Sequence, residues 1–296
     1  MHRILVAVFA VCFAGVGVLW GVTRPDPLPA SAMAGVTGDA RHGEQVFWAG
    51  GCASCHAAKG AEGAERLRLG GGQRFVTAFG TFVVPNISPD PSAGIGKWRA
   101  IDLANAMLRG LNPAMEHLYP AFPYPSYTHA TLQDVADLKA FLDTLPPVST
   151  PSAPHELTFP FSIRRFVGIW KALYLRDTWT VRGAFSPAAQ RGRYLVEALA
   201  HCGECHTQRN ALGAVRRDLW LAGAPNPVGT GRVPNITPGK LDWSEDDIAT
   251  YLTTGMTPSY DSAGRDMSEV VENISKLSDA DRADIAAYLK AVPAVK

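Results

Sequence analysis

This chain lacks an excess of charge of either sign. Its 296 residues hold 28 Lys and Arg against 27 Asp and Glu, a net charge of +1, so no basic surplus points to nucleic acid as a partner. With 47% apolar and 19% charged residues, it has the makings of a folded core and is no disordered chain. Its length suits about two ordinary domains. Cysteine is scarce as well, at 5 residues. Four of them fall in two short motifs, and the fifth, Cys12, lies in an apolar N-terminal stretch. No pair is left for a structural disulfide.

The two motifs are Cys52-Ala53-Ser54-Cys55-His56 and Cys202-Gly203-Glu204-Cys205-His206, both of the form C-x-x-C-H. Two thiols at that spacing can bond the two vinyl groups of one porphyrin, and the histidine that follows is then held under the iron. Cys52, Cys55, Cys202 and Cys205 are therefore the expected attachment residues, and His56 and His206 the expected iron ligands, of two covalently bound haem c groups. A redox dithiol would sit between a strand and a helix, but neither motif follows a β-branched run. A zinc site shared by both pairs would have to bridge 202−52=150 residues, far beyond finger spacing.

Residues 4–22 are almost wholly apolar, follow His2-Arg3, and end at Thr23-Arg24-Pro25 with Trp20 near the outer edge. This run fits a membrane span of about 30 Å better than a short signal core, so a transmembrane anchor is expected over residues 1–24. A cleaved export signal is the alternative, with Ala30-Ser31-Ala32 as a peptidase site. Either reading exports the rest of the chain.

The chain repeats itself. After His56 comes Val84-Pro85-Asn86-Ile87-Ser88-Pro89, and after His206 comes Val233-Pro234-Asn235-Ile236-Thr237-Pro238, with offsets to the first proline of 85−56=29 and 234−206=28. Trp98 and Trp243 follow, then helical stretches over 100–109 and 244–254. Each half closes on a segment, 131–142 or 278–289, with an N-capping Thr131 or Ser278, apolar residues at helical spacing, and proline beyond the last turn. Leu138, Phe141 and Leu142 line one closing helix; Ile285, Tyr288 and Leu289 line the other. Opening helices are expected over 43–48 and 187–200, where Gly43 and Gly192 would let the first helix cross the last closely, against Phe141 or Tyr288. Proline carbonyls on rigid loops suit the far ring nitrogen of each motif histidine, so Pro85 and Pro234 are the expected acceptors.

Between the halves, Pro146-Pro147, Pro151 and Pro154 read as a stiff linker. The segment from Phe159 to Trp170 is basic and aromatic. It suits a membrane surface, a wrap around the two halves, or a partner. The expected organisation is 1–24 anchor or signal, 38–148 first domain, 149–186 linker, and 187–296 second domain.

The glycine pair and first motif (residues 50–56), VPNISPDP (84–91), HLYPAFPYPSY (117–127), HCGECHTQRNALG (201–213) and MSEVVEN (267–273) resemble the dihaem cytochrome c family. That family includes membrane-anchored cytochromes and the cytochrome subunits of periplasmic dehydrogenases. The resemblance implies an all-α fold of two tandem cytochrome c domains and a role in electron transfer rather than enzymatic chemistry. It also implies a molybdenum, quinone or flavin dehydrogenase as donor, and the quinone pool, a soluble cytochrome or a terminal oxidase as acceptor. The implied location is the bacterial cytoplasmic membrane with the haem domains in the periplasm, or the soluble periplasm if the N-terminal segment is cleaved.

Each domain then needs a sixth ligand, because a haem used for electron transfer normally has both axial positions filled by protein. Met267 matches the family's methionine and lies 278−267=11 residues before the Ser278 cap; Met256 is the alternative. In the first half, where relatives carry methionine, this chain has Phe122. His117, beside the matched run, ranks first as its substitute, followed by Met115, His129 and an open or water-ligated iron. Thioether raises the potential and a second imidazole lowers it, so the first haem is expected to be the lower-potential entry site. Phe122 also keeps a second class in view, a dihaem enzyme of peroxidase or thiosulfate-oxidising type working at an open first haem.

Overall fold

A computed structural model describes residues 2–226, 231–264 and 266–296 of the chain, and leaves out the side chains of residues 2 and 7–12, Cys12 among them. The apolar N-terminus forms helix α1, His2–Val22. Among the described residues, no helix is long and apolar enough to cross a membrane. The span expected over residues 1–24 is therefore not a property that the described residues carry.

The first half opens on α2 (Ala40–Ala49), capped by Asp39, and runs through α3 (Cys52–His56), α4 (Ala100–Arg109) and α5 (Tyr124–Tyr127) to α6 (Leu132–Leu142). Thr131 caps α6 by accepting from the backbone N–H of Asp134 at 3.0 Å. The second half repeats this order as α8 (Pro187–Arg193), α9 (Gly203–His206), α10 (Glu245–Thr254), α11 (Asp266–Ile274) and α12 (Asp279–Ala291). Ser278 caps α12 in the same way, at 3.1 Å from Asp281 N.

The opening and closing helices cross where the two glycines stand. A Cβ on Gly43 would run into the carbonyl of Asp137 and lie 2.9 Å from Phe141 Cβ; one on Gly192 would run into Asp284 and lie 2.8 Å from Tyr288 Cβ. Absence of a side chain at these two positions lets the backbones touch. In the second half the opening helix does not stay α-helical, but continues from α8 as a π-helix over Tyr194–Leu199. The cause is a count: Gly43 precedes its motif by 52−43=9 residues and Gly192 by 202−192=10, and the π-turn absorbs the extra residue.

The all-α expectation needs one correction. Strands β1 (Arg74–Thr77) and β2 (Gly80–Val83) form an antiparallel hairpin, and β3 (Glu156–Leu157), from the linker, adds to its edge. A two-stranded pair, β4 (Ala224–Pro225) and β5 (Arg232–Val233), stands at the matching place in the second half. The run from Arg74 to Val83 is rich in β-branched and aromatic residues, which favour extended backbone.

Of the three roles suited to the linker, wrapping is the one the contacts describe. Beyond β3 it forms α7 (Val167–Tyr174). Tyr119 donates its hydroxyl to Phe161 O at 2.9 Å, and Arg164 donates to His117 O at 2.9 Å. Trp170 Nε1 reaches Leu212 O in the second half at 2.9 Å. One buried apolar cluster runs through both halves, with Val46, Phe47, Leu138 and Phe141 from the first and Leu195, Val196, Ile285 and Tyr288 from the second.

Candidate haem sites

The geometry is built outward from the two motif histidines. Nδ1 of His56 donates to Pro85 O at 2.8 Å, and Nδ1 of His206 donates to Pro234 O at 2.8 Å. The acceptors anticipated at the two prolines are in place. Each bond fixes its ring and leaves Nε2 as the atom that can ligate iron. Burial pushes His56 down to about 4 and His206 down as well, so both rings are neutral near pH 7, the form that coordinates a metal.

What holds the proline carbonyls there was not read from the sequence, although the repeat contains it. Asn86 Nδ2 donates to Val148 O at 2.6 Å and to Thr150 O at 2.9 Å, while its Oδ1 accepts from Ser88 N at 2.8 Å. Asn235 does the same with Val295 O at 2.9 Å and Thr237 N at 2.8 Å. Each asparagine thus ties its proline loop to the chain leaving the closing helix. Gly71 and Gly223, at φ +70° and +82°, donate their N–H to His56 O and His206 O at 2.8 and 2.7 Å. A Cβ on Gly71 would run into Pro85 O, so no larger residue fits between histidine and proline loop.

The cysteines fit thioether attachment rather than thiol chemistry. Cys52, Cys55, Cys202 and Cys205 form no disulfide. Burial pushes Cys52 and Cys202 up to about 12 and Cys55 up to about 11. A reactive dithiol needs the opposite shift. In each motif, Cys–Cys–His on one short helical turn would carry a porphyrin by two bonds and place the imidazole against its iron.

The predicted sixth ligands part company. Met267 stands in the first turn of α11, partly buried against the core. Met256 is 45% exposed and follows the αL cap Gly255. His117 is corrected: it is 5% exposed, its Nε2 donates to Thr23 O at 2.9 Å, and its Nδ1 accepts from Lys171 Nζ at 3.0 Å. With both nitrogens committed to the end of α1 and to α7, the ring has none for iron. His129 stacks on Trp179, with centroids 4.4 Å apart, and Met115 is 38% exposed on a turn.

Comparison with known proteins decides the family. A cytochrome c family model matches residues 40–146, and the model for cytochrome c oxidase, cbb3-type, subunit III matches residues 187–289. A relative named diheme cytochrome c-type, from Cereibacter sphaeroides, is 58% identical over the whole of both chains. This chain belongs to the dihaem c-type cytochromes. It carries two covalently bound haem c groups, and its role is electron transfer. The fructose dehydrogenase cytochrome subunit of Gluconobacter japonicus is 38% identical over 91% of this chain, and the gluconate 2-dehydrogenase cytochrome c subunit of Pantoea cypripedii 35% identical over 86%. The chain spans 55% and 59% of those two subunits.

In this dihaem cytochrome the two attachment turns meet across the domain interface, each touched by the other domain. Asn273 Nδ2, from α11, donates to Ser54 Oγ inside the first motif at 2.6 Å. Reciprocally, Ser126 Oγ, from α5, donates to Glu204 Oε1 inside the second motif at 3.2 Å. Buried Arg66 holds α11 in place, with Nη1 on Glu269 and Glu272 at 2.8 and 2.9 Å and Nη2 on Asn273 at 2.9 Å. Tyr127 donates to Gly50 O at 2.9 Å, and its ring meets His201, which precedes the second motif, edge-on at 5.6 Å.

Proposed function

We propose that this cytochrome accepts electrons from a dehydrogenase outside the cytoplasm at its first haem, passes them to its second, and delivers them to the quinone pool, a soluble cytochrome or a terminal oxidase. The haem irons supply one-electron chemistry, cycling between ferric and ferrous states. Cys52 and Cys55, and Cys202 and Cys205, hold the two porphyrins. His56 and His206 ligate the irons from the side fixed by Pro85 and Pro234, and Met267 supplies the sixth ligand of the second iron. Its thioether favours reduced iron and makes that site the higher-potential exit.

The observation that carries this reading is the reciprocal pair of contacts, Asn273 to Ser54 and Ser126 to Glu204, which ties each motif to the other domain. Two redox sites side by side on a fixed frame suit conduction through the molecule. The names of the relatives, cytochrome subunits of fructose, gluconate and alcohol dehydrogenases, support a dehydrogenase as donor, of molybdenum, quinone or flavin type.

The site of work is the outer face of the bacterial cytoplasmic membrane, with α1 as anchor. In support, α1 exposes Ile4, Phe13, Val16 and Val18. Its end is tied to the first domain: Arg165 donates to Thr23 Oγ1 at 3.0 Å and lies 3.9 Å over the Trp20 ring. Two experiments test the whole reading. A redox titration of the holoprotein should resolve two transitions, with loss of the higher one on Met267→Ala. Carbonate washing of membranes should leave the full chain in the pellet and release a chain lacking residues 1–24.

A further inference from the structure

The two halves can be placed in register, with no gap, through the loop between α4 and α5 in the first and between α10 and α11 in the second. Gly110 and Gly255 are both αL caps, at φ 57° and 73°. The isolated bridge Leu111↔His117 corresponds to Met256↔Ser262. Inside these two turns, Met115 and Tyr260 both take left-handed backbone, at φ 60° and 62°. Every one of these pairs is offset by 145, as 255−110, 256−111, 262−117 and 260−115 show. Carried five residues further, the same offset sets Phe122 on Met267, since 267−122=145. Both side chains are partly buried against the same core.

Phe122 is also at the first haem's pocket. Its ring lies 5.5 Å from that of Tyr127, whose hydroxyl bonds Gly50 O and whose surroundings include the Cys52 and Cys55 thiols. Phenylalanine has no atom that ligates iron. The other side chains of this loop with ligand chemistry are engaged elsewhere. Both nitrogens of His117 are hydrogen-bonded; Met115 sits on an exposed turn at the place of Tyr260, itself 88% exposed; and His129 is stacked on Trp179. Met107, in α4, is a core residue at 4% exposure.

We infer that the iron of the first haem is five-coordinate, with Phe122 covering the face that Met267 ligates in the second domain, and that it binds a small neutral π-acceptor such as carbon monoxide or nitric oxide. The inference rests on the haem assignments proposed above. An iron with an empty sixth position takes such molecules directly, whereas thioether-ligated iron must first lose its ligand. Phe122 gives the pocket an apolar lid that admits a diatomic gas and donates no hydrogen bond to it.

The test uses the full-length holoprotein, with covalent haem counted first by the alkaline pyridine assay. Fewer than two haems per chain would overturn the attachment residues and this inference together. With two haems present, the dithionite-reduced protein should take up one carbon monoxide per chain, and the ferric protein should show one high-spin and one low-spin signal by electron paramagnetic resonance. Phe122→Met should bring carbon monoxide uptake to zero and convert the high-spin signal to a second low-spin one. His117→Gln should leave uptake at one per chain. No uptake by the unaltered protein, with two low-spin irons, would overturn this inference alone and leave the attachment residues standing.

Discussion

The two haem domains agree closely on one side of the porphyrin and disagree on the other. On the proximal side the correspondence runs bond for bond: His56 to Pro85 and His206 to Pro234, both at 2.8 Å, Asn86 and Asn235 clipping the chain that leaves the closing helix, and Gly71 and Gly223 bonding the histidine carbonyls. On the side proposed as distal, Phe122 stands in the first half at the place that Met267 holds in the second. Covalent attachment explains the asymmetry. Once two thioethers set the porphyrin against its histidine, the proximal loops have one geometry to satisfy, while the distal position is free to vary with what each iron is for.

A second divergence lies behind the motifs. Phe47 and Glu197 each stand five residues before the first motif cysteine. Phe47 packs on Phe141 with ring centroids 5.2 Å apart. Glu197, 2% exposed, instead accepts from the hydroxyl of Tyr288 and from the linker N–H groups of Thr180 and Val181, at 2.6 and 3.2 Å for the last two. One half closes its helix crossing with two apolar rings. The other does so with a carboxyl group that also fastens the linker, its buried oxygens satisfied by three donors.

The largest effect should come from erasing the distal difference. Met267→Phe would make the second domain imitate the first, raising carbon monoxide uptake from one to two per chain and moving the upper potential down toward the lower. An unchanged titration would break the equivalence of the two positions. Next come the crossing glycines. Gly43→Ala and Gly192→Ala should each cost about 3 kcal/mol, because the new methyl meets backbone that cannot yield; thermal unfolding should rank the two alike. Glu197→Ala should cost about 2 kcal/mol through stranded donors, and protease sensitivity should rise in the linker, whereas Phe47→Leu should leave the linker protected.

The smallest effect is one of pH. Burial holds His129 down to about 4 and lowers His117 and His155 as well. Each is neutral in the fold, and His117 and His155 accept hydrogen bonds at Nδ1 from Lys171 Nζ and Val83 N. The unfolded chain takes up these protons first, below about 6.5. Stability is therefore full above that pH and declines as the pH falls toward 4. Denaturant titrations at several pH values check this.

What could be read from the sequence was whatever repeats or is local. Closing helices with Thr131 and Ser278 caps, glycines set against Phe141 and Tyr288, and the prolines opposite the motif histidines all follow from periodicity and self-comparison. The π-turn was countable too, as one residue more between Gly192 and Cys202 than between Gly43 and Cys52. The five strands were not, since runs of two to four residues carry no usable alternation. His117 was misjudged for a different reason. Its partners, Thr23 and Lys171, are 94 and 54 residues away in sequence, and nothing in the loop itself reveals that both nitrogens are taken.

Because one continuous apolar cluster and the Arg66 clamp on α11 weld the halves together, the two haem sites ride on one frame of described residues. Tunnelling from one to the other should then proceed at the same rate in glycerol as in buffer, with solvent friction slowing only the encounters at either end.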